Sequence, residues 1–257
     1  MNQLENGNAM NAIRFLTIGG LFLLLSMKPA GFLEDQLKYP RVRTAQKEKQ
    51  KDIELDLQKK GLHSANFEML ILAFKQEDEL SVFVRKKGTK KYQLLRSFEI
   101  CAKSGGLGPK KQQGDGQVPE GFYQIDRFNP SSNFYLSLGI NYPNAADKLR
   151  NPSRNPGGDI FIHGSCVTIG CLPMTDPIIK EIYLLAVHAK NNGQAHIPVY
   201  IFPFKMTDAN MKANEGYFKT QPDLKDFWSR LKVGYDTFYS NLEPLNVSHD
   251  AKGIYVF

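Results

Sequence analysis

The sequence predicts a mainly β domain of the α+β type, with helices at its periphery and at its C-terminal end. Three observations carry this. Between Phe67 and Ser104, three apolar and aromatic runs are separated by the polar turns "KQEDE" and "RKKGTKK", the pattern of a β meander. After Asp176-Pro177, the residues Ile178, Ile182 and Leu185 recur at helical spacing as far as a stop at Gly193. Near the end, Phe227, Leu231 and Tyr235 form a second helical stripe within residues 221–241. With 257 residues, 42% of them hydrophobic and 11% aromatic, the chain has ample material for a core.

In chain order, residues 1–30 come first. Arg14 is followed by the apolar run Phe15 to Met27, shorter than the roughly 20 residues of a spanning helix, and then by "KPAG" with Ala30 as a cleavage edge. This reads as a signal peptide or signal anchor, so the chain is expected in the periplasm or cell envelope, touching the membrane only if this segment is retained. Residues 31–64 are charged and poor in aromatics. They are expected to form a helical or linker segment, with a helix over Glu34 to Lys60 ending at Gly61 on the outside of the domain.

The β domain is expected over 65–205. After the meander comes "GGLGPKKQQGDGQVPEG" (105–121), a loop of the length that in compact domains serves function or moves. Strands are expected at Phe122 to Phe128 and Phe134 to Ile140, then at the short run "DIFIHG" (159–164). In the helix that follows, Asp176 suits the cap and Pro177 the first turn. "HIPVYIFPF" (196–204) is the last strand. Residues 206–257 are expected to be a helical extension packed on the domain, and no repeat of 20 to 50 residues is visible.

The net charge is +7, and Lys and Arg are spread out except at 85–91 and 109–112. No nucleic-acid reader motif accompanies the charge, and nucleic acid is not an expected partner. A mildly basic surface suits an anionic envelope polymer, and suits equally a plain solvated face.

The chemistry concentrates in "HGSCVTIGCLPM" (163–174). His163, Cys166 and Cys171 are three candidate metal ligands, but structural zinc sites want four, often from paired C-x-x-C spacings, and the other histidines are scattered. No metal or cofactor is expected. A Cys166–Cys171 disulfide would close a very small loop. Three cysteines are an odd set for an exported chain: Cys101 is either a core residue or bridged to Cys166, which would leave Cys171 as the lone free thiol. The reading that explains most is a nucleophile. His163 ends a strand, and Cys171 follows a turn whose backbone N–H groups would lower the thiol pKa and hold an oxyanion. Gly170 would leave room for a substrate carbonyl, and a neutral imidazole would take the thiol proton.

At these residues the chain resembles a known family. H-G followed by [ST]-x-G-C is the signature of YkuD-type L,D-transpeptidases, and "HGSCVTIGCLPMTD" is similar to their YafK branch. Residues 92–123 and 200–212, with "LKDFW" at 224–228, also resemble that branch, so the likeness spans roughly 65 to 240. The resemblance implies a YkuD-like β-sandwich or barrel catalytic domain over 65–205. It implies Cys171 as nucleophile, His163 as proton donor and acceptor, the Gly164 carbonyl as orienter of the imidazole, and the N–H groups of Gly170 and Cys171 as an oxyanion hole. Thr168 stands where the family has Ser or Thr and is a candidate substrate-binding residue, with its hydroxyl expected to brace the turn. "VPEGFY" (118–123) matches a Pro-x-Gly-aromatic segment near the cleft. Where the wider family often has an arginine two residues after the cysteine, this chain has Pro173.

The implied partner is a peptidoglycan stem peptide, with or without a covalently attached envelope protein. The wider family attacks an amide at the L-centre of meso-diaminopimelate, forms a thioester and passes the acyl group to an amine. The YafK branch is associated with water as acceptor, releasing the attached protein or peptide. Lys103, Lys110 and Arg154 are the candidate side chains to meet substrate carboxylates. A peptidoglycan-binding module without turnover is the reading from another class, and the intact His163 and Cys171 pair argues against it.

Overall fold

The structure is a computed structural model that describes residues 31–151 and 155–257. The export segment expected at 1–30, and Arg154, lie outside the described residues. Residues 31–257 form one compact unit. Among the described residues no helix is long and apolar enough to cross a membrane.

Two helices open it, α1 (Phe32–Gln36) and α2 (Pro40–Lys59). Pro40 stands in the first turn of α2, where its missing N–H costs nothing. Although α2 is mostly charged, four of its apolar positions, Val42, Ala45, Ile53 and Leu57, are buried, while Leu55 faces out. The meander follows as β1 (Phe67–Phe74), β2 (Glu79–Lys86) and β3 (Gln93–Glu99), then β4 (Gly121–Asn129), β5 (Ser137–Ile140), α3 (Ala145–Arg150), β6 (Phe161–His163) and β7 (Leu172–Pro173). The chain continues with α4 (Asp176–Asn191), β8 (Pro198–Phe202), α5 (Asp208–Ala213), α6 (Tyr217–Thr220), α7 (Asp223–Asn241) and a small terminal pair, β9 (Ser248–His249) and β10 (Tyr255–Val256).

The first eight strands form one curled, half-barrel sheet in the order β3-β2-β1-β8-β4-β5-β6-β7. β8 pairs in parallel with β1 and antiparallel with β4, so it joins the meander to the strands that carry the site. β1 reads as an unbroken apolar run because both its faces are covered. Phe67, Met69, Ile71 and Ala73 enter one core with α2 and α4, while Leu70, Leu72 and Phe74 enter a second core under α7. The α7 stripe is centred on Leu224, Trp228, Leu231 and Phe238, with Phe227 and Tyr235 at its margins, one position round from the expected stripe. Trp228 sets this centre: it is fully buried, edge-on to Phe204, and its Nε1–H donates to Glu120 at 2.9 Å.

Two local expectations are corrected. The strand expected from Phe134 starts only at Ser137, because Tyr135 adopts φ +69°, outside strand geometry. The cap position of α4 is Thr175 rather than Asp176, since the Asp176 carboxylate is turned away to accept the Ser165 N–H at 2.9 Å.

Candidate active site

β6 delivers His163 and β7 starts just after Cys171, and the two strands pair in parallel with Ile162 beside Leu172 and His163 beside Pro173. One further step of this register puts Cys171 beside Phe161. Side chains alternate across a strand, so Ile162 and Leu172 enter the α4 core while Phe161, His163 and Cys171 share the opposite face. The imidazole and the thiol are thus diagonal neighbours on one surface.

The connection between them is fixed at several points. At Gly164 a Cβ would stand 2.6 Å from Asp176 Oδ1 and 2.7 Å from the Phe134 carbonyl, so only glycine lets the chain turn there. Cys166 forms a disulfide with Cys101, which ties this loop to the segment that follows β3. Cys171 is therefore the free thiol among the described residues, and Cys166 is unavailable as a metal ligand or as a partner for Cys171. The Thr168 hydroxyl accepts from the N–H groups of Cys171 at 2.8 Å and Gly170 at 3.2 Å, and donates to the Cys171 carbonyl at 2.9 Å.

Both N–H groups expected at the oxyanion hole thus have the Thr168 hydroxyl as partner in the resting geometry. Gly170 has a packing role as well. Its φ is +128°, and a Cβ there would stand 3.0 Å from the Gln117 carbonyl, so the glycine also admits the 105–121 loop.

The His163 ring is buried against Phe134, with centroids 4.6 Å apart. Its Nδ1 lies 2.6 Å from the Gly164 carbonyl, which can only accept, so Nδ1 carries the proton and Nε2 is the basic nitrogen. Burial lowers the imidazole pKa, with the Gly164 contact opposing. The thiol was expected to have a depressed pKa, and the structure gives the reverse. Burial pushes Cys171 up and the Asp159 carboxylate adds to this, while the Phe161 N–H and Lys110 act against it. At rest the thiol donates to the Asp159 carbonyl at 3.7 Å. Both shifts favour the uncharged forms, the thiol and the neutral imidazole.

Cys171 and Leu172 form the floor of a cleft of about 320 Å³. Its walls are the segment 102–107, Lys75 and Asp78 from the β1–β2 turn, and Asn214 and Tyr217 from the C-terminal extension. Lys103 reaches this cleft, paired with Asp78 at 2.7 Å. Lys110 does not offer a free cation: it is buried, ion-paired with Asp115 at 2.6 Å and bonded to the Gln112 carbonyl at 3.0 Å, because the 105–121 loop folds around it. The loop is clamped at both ends by the buried Lys75 ammonium, which donates to the carbonyls of Gly108 at 2.7 Å and Val118 at 3.0 Å and to Glu120 at 3.0 Å. Three residues at the site carry no local sequence signal: Phe134 beneath the imidazole, and Arg127 with Asp159, an ion pair at 2.8 Å beside the thiol strand. Only the sheet register places them there.

The sequence model of the L,D-transpeptidase catalytic domain, YkuD, matches residues 69–201. A protein of Escherichia coli K12 named "Putative L,D-transpeptidase YafK" is 44% identical over 180 residues, which are 69% of this chain and 69% of that one. Among solved structures, the helical cell shape determining protein Pgp2 of Campylobacter jejuni overlaps 76% of this chain and 80% of its own at 18% identity, with a TM-score of 0.43. Bd1075 of Bdellovibrio bacteriovorus overlaps 68% and 63% at 22% identity, with a TM-score of 0.38.

Proposed function

The chain belongs to the L,D-transpeptidase catalytic domain family, and from that premise we propose that it is an exported peptidoglycan-processing cysteine enzyme. Its substrate is an amide at the L-centre of meso-diaminopimelate, which it hydrolyses through a Cys171 thioester to release attached protein or peptide. The observation that supports this best is the free thiol of Cys171 on the same sheet face as an imidazole whose tautomer is set by Gly164.

Because both groups favour their uncharged forms at rest, proton transfer accompanies attack. Nε2 of His163 takes the thiol proton as sulfur bonds to the amide carbon. The resulting oxyanion needs donors, and the N–H groups of Gly170 and Cys171 serve only if the Thr168 hydroxyl gives them up or shares them. Collapse of the tetrahedral intermediate breaks the C–N bond, and the leaving amine takes the proton from His163. Water then adds to the thioester with Nε2 as base, and the expelled thiolate takes the proton back. Lys103 and Arg154 remain candidate contacts to substrate carboxylates.

Hydrolysis is favoured by the resemblance to the shorter branch. Transfer to an amine is the second reading, supported by the family's transpeptidase chemistry. Incubating the protein with sacculi separates the two by mass spectrometry: freed protein or peptide supports hydrolysis, and new cross-linked dimers support transfer. If neither appears, or if Cys171→Ala is as active as the native chain, the proposal is wrong.

A further inference from the structure

One row of side chains crosses the site face without a role in the steps above. The register pairs Arg127 of β4 with Gly139 of β5, and Gly139 with Phe161 of β6, and the next position is Cys171. Leu138, Ile162 and Leu172 face the α4 core, so this row faces outward on the surface that holds the thiol. Gly139 clears the way, since a Cβ there would stand 2.9 Å from Arg127 Nε. The guanidinium crosses that gap and settles over the Phe161 ring, 4.8 Å from its centroid. There it pairs with Asp159 at 2.8 Å and with Asp126 at 3.2 Å.

This cluster is unusual for its exposure and its place. The Asp159 side chain is 79% exposed and the Arg127 side chain 46%, so their outward hydrogen-bonding positions are open. Asp159 is a non-glycine residue held at φ +56°, and its own carbonyl receives the Cys171 thiol. A backbone in that conformation, positioned by contact with the reactive sulfur, is a feature associated with function. One cation and one exposed anion side by side form the complement of a group that carries an ammonium and a carboxylate on one carbon.

We propose that Arg127 and Asp159 bind the free amino-carboxylate end of a substrate whose other end presents the scissile carbonyl to Cys171. This rests on the diaminopimelate reading above and names the residues that would select it. In meso-diaminopimelate the D-centre carries that zwitterionic end, and its carboxyl carbon is six bonds from the L-centre carbonyl carbon, roughly 7 Å when extended. Neighbouring strands lie about 4.8 Å apart, so a carbonyl at Cys171 and a carboxylate at the guanidinium over Phe161 fit that span. The carboxylate joins Arg127 in a charge-assisted pair and the ammonium joins Asp159. Phe161 fixes the guanidinium so that little freedom is lost on binding. This supplies in space a cation that the sequence lacks after the cysteine, where Pro173 stands.

Two readouts test it. First, the Cys171→Ala protein is titrated with free meso-diaminopimelate and with its D-centre monoamide by calorimetry. Binding of the free acid is expected to weaken by about ten- to a hundredfold in the monoamide, and by the same factor when Arg127→Gln is added. Asp159→Asn should weaken both ligands alike, because it meets the ammonium that they share. Second, turnover of stem peptides with an intact or an amidated D-centre is compared in the native chain and in Arg127→Gln. The native enzyme should prefer the intact peptide, and Arg127→Gln should lose the preference while Arg127→Lys keeps part of it. If Arg127→Gln keeps the native preference and the native affinity, the anchor is overturned even though turnover stands. If binding shows the expected losses but no diaminopimelate peptide is cleaved, the anchor stands and the proposed reaction falls.

Discussion

The Thr168 hydroxyl lies 2.8 Å from the backbone nitrogen of Cys171, and the same oxygen donates to the Cys171 carbonyl at 2.9 Å. One side chain thus fixes both sides of the nucleophile's backbone. Thr168→Val keeps the shape and removes all three contacts of that hydroxyl. It should lower stability by about 1–3 kcal/mol and reduce turnover further than it reduces substrate affinity, while Thr168→Ser stays near native. Urea denaturation and steady-state rates on a soluble stem peptide check this.

The raised thiol pKa and lowered imidazole pKa predict how reactivity follows pH. Thiolate is the alkylating form, so the rate of Cys171 carboxamidomethylation should rise with pH and level off only above the ordinary thiol range. Because His163 holds no ion pair with the thiol at rest, His163→Ala should leave that curve nearly in place while stopping turnover. On the acid side, burial keeps His163 neutral below the pH at which a free imidazole gains its proton, so turnover should persist there. A pH series of labelling by mass spectrometry, with kcat/KM in parallel, tests both limbs.

The Cys101–Cys166 bridge closes 65 residues of chain, and a cross-link of that span is worth about 4 kcal/mol in the chain-entropy account. Replacing both by serine should lower stability by an amount of that order. Activity should fall by more than the folded fraction explains, because Cys166 anchors the loop that aligns Cys171. Thermal unfolding of the double variant, with rates measured well below its midpoint, separates the two effects. In the native chain, alkylation without reductant should modify one cysteine.

The buried Lys75–Glu120 pair should respond as a unit. Glu120→Leu leaves the ammonium without its carboxylate and should cost about 3–5 kcal/mol. Adding Lys75→Met should recover only part of that loss: no charge is then stranded, but the Trp228 and Gly108 N–H groups that also donate to Glu120 stay unpaired. A double-mutant cycle in urea measures the coupling.

The chemistry of the site was legible because His163 and Cys171 lie eight residues apart in a stretch with little else to explain it, and the helix after Asp176-Pro177 follows from its period. The meander was legible from its turns. What the sequence hid were relations made by pairing between distant strands. Nothing local in "HIPVYIF" says that it inserts in parallel beside β1, and the step from Arg127 to Cys171 exists only across three strands. The thiol pKa was misjudged for a related reason: the N–H groups that would depress it are visible as a turn, but their capture by Thr168 and the burial of the sulfur are tertiary facts.

The position of β8 between β1 and β4 has an effect on assembly. Within the sheet, the strands β1–β3 and β4–β7 are joined through β8, which follows all of them in the chain, and the segment after β3 meets the site where the Cys101 N–H donates to the Pro173 carbonyl at 3.0 Å. Cys101 therefore reaches Cys166 only when the strands on both sides of β8 have come together. Shortening the chain ahead of residue 198 should therefore remove the strand that joins the two halves and yield mispaired or unpaired thiols rather than a smaller working enzyme.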